Sequence, residues 1–369
     1  MKIYGFDNDV ILSGANLSRD YFTNRRDRYL LIENHETVAD YLDSLVDVVG
    51  QFSLRLESTS GMGASASEAA ATSVWKLIWD GGKGRLVPGA QEKSGSYADS
   101  DWTDSASQSV EEFTRQWHNM APLPAAQTST SEKKTDTFLL PLLQMGPLNI
   151  RQETRAITKI LELGLEAPAM RGKPPMIGLT SGYFSLYRPY KALLLCAKAA
   201  NSAIVTIVCA APEANGFFQS KGVSGWIPEA YTWYEYQFWR ALQRSKRLLG
   251  QHNRKIQEGG VEVREWKKEG WTYHAKGIWY SPPSAQGPAA PTMVHVGSSN
   301  YGSRSANLDL ECTFLVSTDS KELSHRLKEE FETLQSDAKD IVDEKLFQRP
   351  DRKVRRRVKI ASWILKGML

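Results

Sequence analysis

Apolar positions recur in two rhythms along this chain. Residues 1 to about 56 alternate short apolar runs, Val10-Ile11-Leu12 and Tyr29-Leu30-Leu31-Ile32, with a segment after His35 in which Val38, Tyr41, Leu42, Leu45 and Val49 recur at spacings of three and four. The first rhythm predicts strands and the second an amphipathic helix, so this stretch reads strand, strand, strand, helix. From about Ser58 to Thr135 the composition shifts to Ser, Ala, Gly and Asp, broken by a short apolar piece at Trp75 to Trp79 and a helix-like piece from Val110 to Met120. Most of it reads as an insertion or flexible connection. Order returns with a strand at Phe138 to Leu143 and a helix from Ile150 to Leu163. A strand at Met176 to Leu179, a helix at Pro189 to Ala200, a buried strand at Ala203 to Ala210 and a long helix at Glu229 to Leu249 follow. Strands alternating with helices imply a mixed or parallel sheet covered on both faces.

Composition narrows the function classes. Lys and Arg number 46 against 42 Asp and Glu, a net charge of +4 that gives no global field for nucleic acid. Cys196, Cys209 and Cys312 are odd in number, far apart and set among apolar residues, which predicts reduced core thiols and no cysteine-type zinc site. No stretch approaches the roughly 18 uninterrupted apolar residues of a spanning helix. The chain opens directly on Met1-Lys2-Ile3-Tyr4, which reads as a strand and not as a signal or transit peptide.

The chemistry-bearing signal lies in Tyr273-His274-Ala275-Lys276-Gly277-Ile278-Trp279-Tyr280, whose strand character puts His274 and Lys276, two apart, on one face. A loop from Ser281 to Pro291 returns to a strand at Met293 to Val296 that ends in Gly297-Ser298-Ser299-Asn300. This hairpin would set a hydroxyl and an amide beside the imidazole and the ammonium. Such a group suits phosphoryl-ester chemistry without metal: imidazole serves as nucleophile or proton carrier, Lys neutralises a nonbridging oxygen, and Ser and Asn hydrogen-bond the rest. Alone, His-x-Lys is a common surface pairing, but the lysine and the trailing turn of small residues that ends in Asn recur near the amino terminus. Met1-Lys2 leads through a strand to Ser13-Gly14-Ala15-Asn16, paralleling Ala275-Lys276 and Gly297 to Asn300. Eleven residues beyond Asn16 stands Asp27, and eleven beyond Asn300 stands Glu311, each opening onto an apolar strand. Two copies of one phosphate-binding half, facing each other, would build a single site.

Paired His-x-Lys with a trailing Gly-Ser-x-Asn is the signature of the phospholipase D superfamily, and Lys2 with Asp7 fits the Lys-x4-Asp of its first copy. The runs Phe6 to Ser18, Asp20 to Arg25, Asp27-Arg28-Tyr29, Pro212 to Phe217, Ser220 to Gly225 and Tyr273 to Trp279 together resemble the eukaryotic mitochondrial phosphatidylglycerophosphate synthases within it. The similarity covers residues 1 to about 56 and about 136 to 335. It implies an α/β, phospholipase D-like fold of two half-domains, each a mixed sheet flanked by helices, with the first half incomplete. The expected divisions are 1–56, a connection at 57–135, a second domain at 136–340 and a basic amphipathic tail at 341–369. In the second copy Ser281 stands where the motif has Asp. The first-copy histidine would immediately precede Met1, so the expectation is a chain that starts at an internal methionine and is inactive by itself. The upstream segment would hold a targeting peptide and one catalytic imidazole.

The resemblance further implies transfer of a phosphatidyl group from CDP-diacylglycerol to glycerol-3-phosphate, with release of CMP and no cofactor or metal. One histidine forms a phosphohistidine and the other handles the acceptor proton; by analogy His274 is the acid/base. Lys2 and Lys276 would neutralise the phosphoryl oxygens, and Asn16, Ser298 and Asn300 would orient them. Asp7 and Glu311 would position an imidazole or lysine, with Asp27 either supporting the site or forming a structural ion pair. The implied location is the matrix side of the mitochondrial inner membrane. A phospholipase D-type hydrolase acting on lipid or nucleic acid, and a noncatalytic membrane-associated remnant, are the competing readings.

Other features carry less. The Pro212 to Gly225 segment could cradle phosphate or be an ordinary loop. Tyr231, Trp233, Tyr234, Tyr236, Phe238 and Trp239 crowd one helix, fitting a core with some lipid-facing surface. His35, His118, His252 and His325 lack ligand-like companions, and His295 reads as packing or a local hydrogen bond. The run Arg352 to Lys359, feeding an apolar end with Trp363, reads as an interfacial anchor on anionic lipid.

Overall fold

The computed structural model describes residues 1–58, 75–78, 99–120, 135–170, 173–196, 203–250, 259–284 and 290–364. At the amino terminus β1 (Ile3–Phe6) and β2 (Asp9–Ser13) form a hairpin; β3 (Arg25–Arg26) and β4 (Tyr29–Ile32) follow, and β1-β2-β4 make an antiparallel sheet. Helix α1 (Glu36–Gln51) buries Val38, Tyr41, Leu42 and Leu45, the face its spacing predicts. His35 proves to be its N-cap, accepting from the Val38 amide at 3.3 Å.

The polar middle contributes more than its composition suggests. A short hairpin of β5 (Arg55–Ser58) and β6 (Trp75–Ile78) precedes α2 (Asp99–Met120), which starts upstream of the expected Val110. Trp102, Ala106, Val110, Phe113 and Trp117 recur every three or four residues among Ser and Asp, and Ala106, Val110 and Phe113 are buried. Tyr41 meets Phe113 and Trp117 at ring distances of 5.1 and 5.3 Å, so α2 is core. Burial of Val110 and Phe113 contributes about 1.5–3 kcal/mol each. The remainder of the expected connection (59–74, 79–98 and 121–134) lies outside the described residues, as do His252 and the tail beyond 364.

The rest builds on nine strands. In chain order these are β7 (Thr137–Met145), β8 (Ile150–Arg151), β9 (Met176–Ser181), β10 (Ile204–Ala210), β11 (Gly260–Trp266), then β13 (Gly277–Ser281), β14 (Met293–Val296), β15 (Leu310–Thr318) and β16 (Asp340–Ile341). The two-residue β12 (Thr272–Tyr273) pairs separately with β3. The sheet order is β16-β11-β10-β9-β13-β14-β15-β7-β8, parallel through β9, β10 and β11 and antiparallel elsewhere. Helices α3 (Gln152–Glu166), α4 (Arg188–Leu195) and α5 (Ile227–Arg244) cover one face with Ile157, Leu161, Leu194, Phe238 and Leu242, against Ile177, Val205 and Val263. After the short α6 (Ser303–Asn307), α7 (Lys321–Gln335) covers the other face, packing Leu327 and Leu334 with Val208, Trp266 and Trp279. The amino-terminal sheet with α1 and α2 packs on Leu143, Val296, Cys312 and Phe314, so β7, β14 and β15 belong to both halves.

The carboxy-terminal segment, expected as a separate basic anchor, is part of the fold. Beyond α8 (Glu344–Gln348), Arg352 is buried and pairs with Glu265 at 2.5 Å and with Glu213 at 3.4 Å. In α9 (Arg356–Ile364) Val358 is fully buried, and the Tyr234 hydroxyl donates to the Ser362 carbonyl at 2.6 Å. Arg355 pairs with Glu229, and Lys359 lies 4.5 Å over the Trp233 ring. A run of cations reads as free charge in sequence; here the buried Glu265, the partly exposed Glu229 and an indole face take several of them up. Ile360 and Trp363 stay exposed, the latter at 80%. Among the described residues no helix is long and apolar enough to cross a membrane. Arg352→Leu is expected to cost about 3–5 kcal/mol by stranding a buried carboxylate. Calorimetric unfolding checks it, and an unchanged transition would make the tail a passive appendage.

Candidate active site

His274 stands where the backbone changes partners. Upstream, Thr272 and Tyr273 pair with Arg25 and Arg26 of β3, and the His274 amide donates to the Arg26 carbonyl at 2.7 Å. Downstream, Gly277 opens β13 against Thr180 of β9. Residues 274–276 are therefore not a regular strand, contrary to the expectation, yet both side chains reach one place: the Lys276 Nζ lies 2.7 Å from the His274 Nδ1. Glycine makes the approach possible from both sides. A Cβ at Gly182 would fall 2.8 Å from the His274 Cα, and one at Gly14 would fall 3.1 Å from the Lys276 stem and 3.2 Å from the Asp27 carboxylate.

Asp27 is the acid beside the imidazole. Its side chain is fully buried, with Oδ2 2.7 Å from the His274 Nδ1 and Oδ1 accepting from the Arg28 amide at 2.9 Å. Arg28 fixes that loop: it donates twice to Glu330 at 2.8 Å and once to the His295 carbonyl at 2.8 Å, and it lies 4.3 Å over Trp279. An acid from the first copy thus meets the histidine of the second. Glu311 holds the corresponding position: it accepts from the Ser298 hydroxyl and lies 3.7 Å from the Met1 amino group.

Asp7 is not brought in. It occupies the exposed turn between β1 and β2 at φ 53°. Five residues of extended chain separate it from Lys2 by about 16 Å, too far for both to touch one phosphate. The other candidates converge: Lys2, Asn16, His274, Lys276, Ser298, Asn300 and Glu311 line one cavity of about 520 Å³. The Asn300 Oδ1 is buried there without a hydrogen-bond partner, an acceptor left for a ligand. Periodicity and motif spacing missed Tyr21, whose hydroxyl lies 3.3 Å from the His274 Nδ1, and Tyr183, which meets that ring edge-on at 5.4 Å. Arg25 also lines the cavity.

Burial dominates the electrostatics. It pushes His274 down to about 4, with the Lys276 charge adding to the effect and Asp27 opposing it. Burial likewise pushes Lys276 down to about 7 against the pull of Asp27, with Lys2 nearby. At neutral pH the imidazole is uncharged. Nδ1 carries at most one hydrogen, and the acceptor-only Asp27 assigns that hydrogen to it, leaving the Nε2 lone pair available. Lys276 then donates to the His274 carbonyl. A neutral imidazole beside two lysines and two amides can attack, or take a proton near, a phosphoryl group.

No protein-family model matches the chain. Its sequence is 34% identical over 370 residues to the Gallus gallus protein named CDP-diacylglycerol–glycerol-3-phosphate 3-phosphatidyltransferase, mitochondrial, covering 100% of this chain and 61% of that protein. The Saccharomyces cerevisiae protein of the same name, without "mitochondrial", is 33% identical over 373 residues, covering 99% and 64%. The chain thus spans about three fifths of the length of these relatives. Among solved structures, the phosphatidylserine synthase of Haemophilus influenzae Rd KW20 superposes with a TM-score of 0.58 at 17% identity, over 100% of this chain and 70% of that one. The fold is that of this synthase. Along its whole span the chain is similar in sequence to proteins named CDP-diacylglycerol–glycerol-3-phosphate 3-phosphatidyltransferase, as the motif resemblance indicated.

The Lys276 charge sets a pH dependence. Below about pH 7 the fold holds a buried ammonium; between about 7 and 10.5 only the unfolded chain keeps that proton, so this group's contribution to stability rises with pH across that window. Sulfate, whose own charge is constant there, is expected to bind more weakly at about pH 8 than at about pH 6, and Lys276→Arg to remove the difference. Calorimetric titration at both pH values reads this out, and a pH-independent wild type would overturn it.

Proposed function

We propose that the protein transfers the phosphatidyl group of CDP-diacylglycerol to glycerol-3-phosphate, giving phosphatidylglycerophosphate and CMP. The observation that carries the reading is the convergence of two sequence-repeated half-sites on one cavity, in a chain homologous along its span to transferases of that name. In the first step an imidazole nitrogen attacks the phosphatidyl phosphorus and the bond to the CMP oxygen breaks, leaving a phosphohistidine and free CMP. In the second step a glycerol-3-phosphate hydroxyl attacks that phosphorus, its proton passes to the other imidazole, and the N–P bond breaks. His274, neutral at rest and oriented by Asp27, supplies one of these imidazoles. On the first-copy side Glu311 holds the place that Asp27 holds beside His274, accepting from the Ser298 hydroxyl. Lys2 and Lys276 neutralise the phosphoryl oxygens, and Asn16, Ser298 and Asn300 orient them.

The same reading includes peripheral docking on the matrix side of the mitochondrial inner membrane. Supporting it are the word "mitochondrial" in the names of most relatives, the exposed Ile360 and Trp363 of α9, and the exposed Phe218 beside the cavity-lining Phe217.

In the complete protein, CMP release from CDP-diacylglycerol is expected to require glycerol-3-phosphate and to fall by roughly 10²–10⁴ in His274→Gln. Release at an unchanged rate with water as sole acceptor would favour a hydrolase instead. Ile360→Ser with Trp363→Ser is expected to weaken co-sedimentation with vesicles containing anionic phospholipid while leaving unfolding unchanged. Undiminished sedimentation would remove α9 from the docking surface.

A further inference from the structure

The two half-sites agree at some positions and oppose each other at others. Counted from Asn16 and Asn300, the eleventh residue is acidic in both copies, Asp27 and Glu311. The fourth and ninth carry swapped charges: Asp20 and Arg25 in the first copy, Arg304 and Asp309 in the second. Both pairs form, Arg25 with Asp20 at 3.4 Å and Arg304 with Asp309 at 3.0 Å. Groups alike in both copies, the lysines and asparagines, suit the phosphoryl group that both reaction steps share. A transferase must also distinguish a leaving group from an acceptor, and the swap is where the cavity wall loses its symmetry.

Arg25 is the built member of the swap. Its side chain is 16% exposed, against 61% for Arg304. Its Nε donates to the Thr272 hydroxyl at 2.9 Å, and its guanidinium lies 4.8 Å over the Tyr21 ring. The pairing of Arg25 with Thr272 across β3 and β12 sets it two residues upstream of His274 on the partner strand. Gly216 leaves room for the fork, since a Cβ there would stand 3.1 Å from an Arg25 Nη2. Asp20, the only carboxylate paired with Arg25 among the described contacts, is 57% exposed, and an incoming anion displaces such a solvent-facing partner at little cost. At the matching place in the other copy stands a carboxylate, Asp309, which lines the cavity together with its own partner Arg304.

We propose that Arg25 forms a second phosphate subsite, on the His274 side of the cavity, for the phosphate that is not transferred. This rests on the transferase reading. Two sources share that chemistry: the phosphate monoester of the acceptor and the phosphate of the departing nucleotide. Arg25 acts as a planar fork toward either, which a lysine reproduces only as a point charge.

The test compares wild type, Arg25→Gln and Arg25→Lys in the complete protein, titrated calorimetrically with glycerol-3-phosphate and with CMP, and with glycerol and cytidine as phosphate-free controls. Arg25→Gln is expected to weaken one phosphate-bearing ligand by about ten- to hundredfold and leave the controls unchanged, with Arg25→Lys intermediate. A loss confined to glycerol-3-phosphate, matched by a raised KM for it at near-constant kcat, assigns the acceptor; a loss confined to CMP assigns the nucleotide. Wild-type affinity for both in Arg25→Gln, an equal loss for cytidine, or a wild type that binds neither would each overturn the subsite. Failure of the transferase reading shows separately, as a wild type that binds both ligands yet releases no CMP from CDP-diacylglycerol.

Discussion

Everything at the candidate site depends on one buried contact, the carboxylate of Asp27 against the imidazole of His274 with the Lys276 ammonium beside it. Three ionisable groups with almost no access to water are costly to hold charged, and the fold lowers the cost by discharging two of them: His274 titrates near 4 and Lys276 near 7. An anionic phosphate entering the cavity reverses that balance, because it favours the protonated lysine and accepts from the donors around it. The buried Asn300 oxygen, an acceptor, suits a donor such as a ligand hydroxyl and not the phosphate oxygens themselves. Such a site is preorganised for charge that arrives with the ligand.

The same contact explains why the two halves cannot be separated. Asp27 lies between β3 and β4 of the first copy, and its neighbour Arg28 reaches Glu330 and the His295 carbonyl of the second. Behind the Gly-Ser-Ser-Asn turn a neutral layer supports Glu311. Burial, with Glu311 adjacent, pushes Glu153 up to about 8, and burial pushes His295 down to about 3. His295 sits between the Tyr301 hydroxyl and the Thr313 hydroxyl, each at 2.9 Å, a local hydrogen-bonded role. Glu153 and His295 are thus polar but uncharged near neutral pH, and the charge beside them is the paired Arg28 and Glu330.

Much of this was legible in the chain. The 3.6-residue spacing of Val38, Tyr41, Leu42 and Leu45 determined α1, the apolar runs determined the central strands, and the doubled Lys and Asn pattern identified which side chains would meet. These are local signals: side-chain period follows from backbone geometry within a few residues, and a repeated motif declares its own symmetry. Tertiary structure decided the rest. It set Asp27 beside His274 and left Asp7 in an exposed turn, although spacing favoured Asp7. It took Arg352 and Lys359 out of a basic tail and made them packing groups, and it turned a Ser- and Asp-rich stretch into the buried face of α2. In each case the deciding partner lies tens to hundreds of residues away, and the desolvation that fixes which charges pair, and which discharge, exists only once the two halves close on each other.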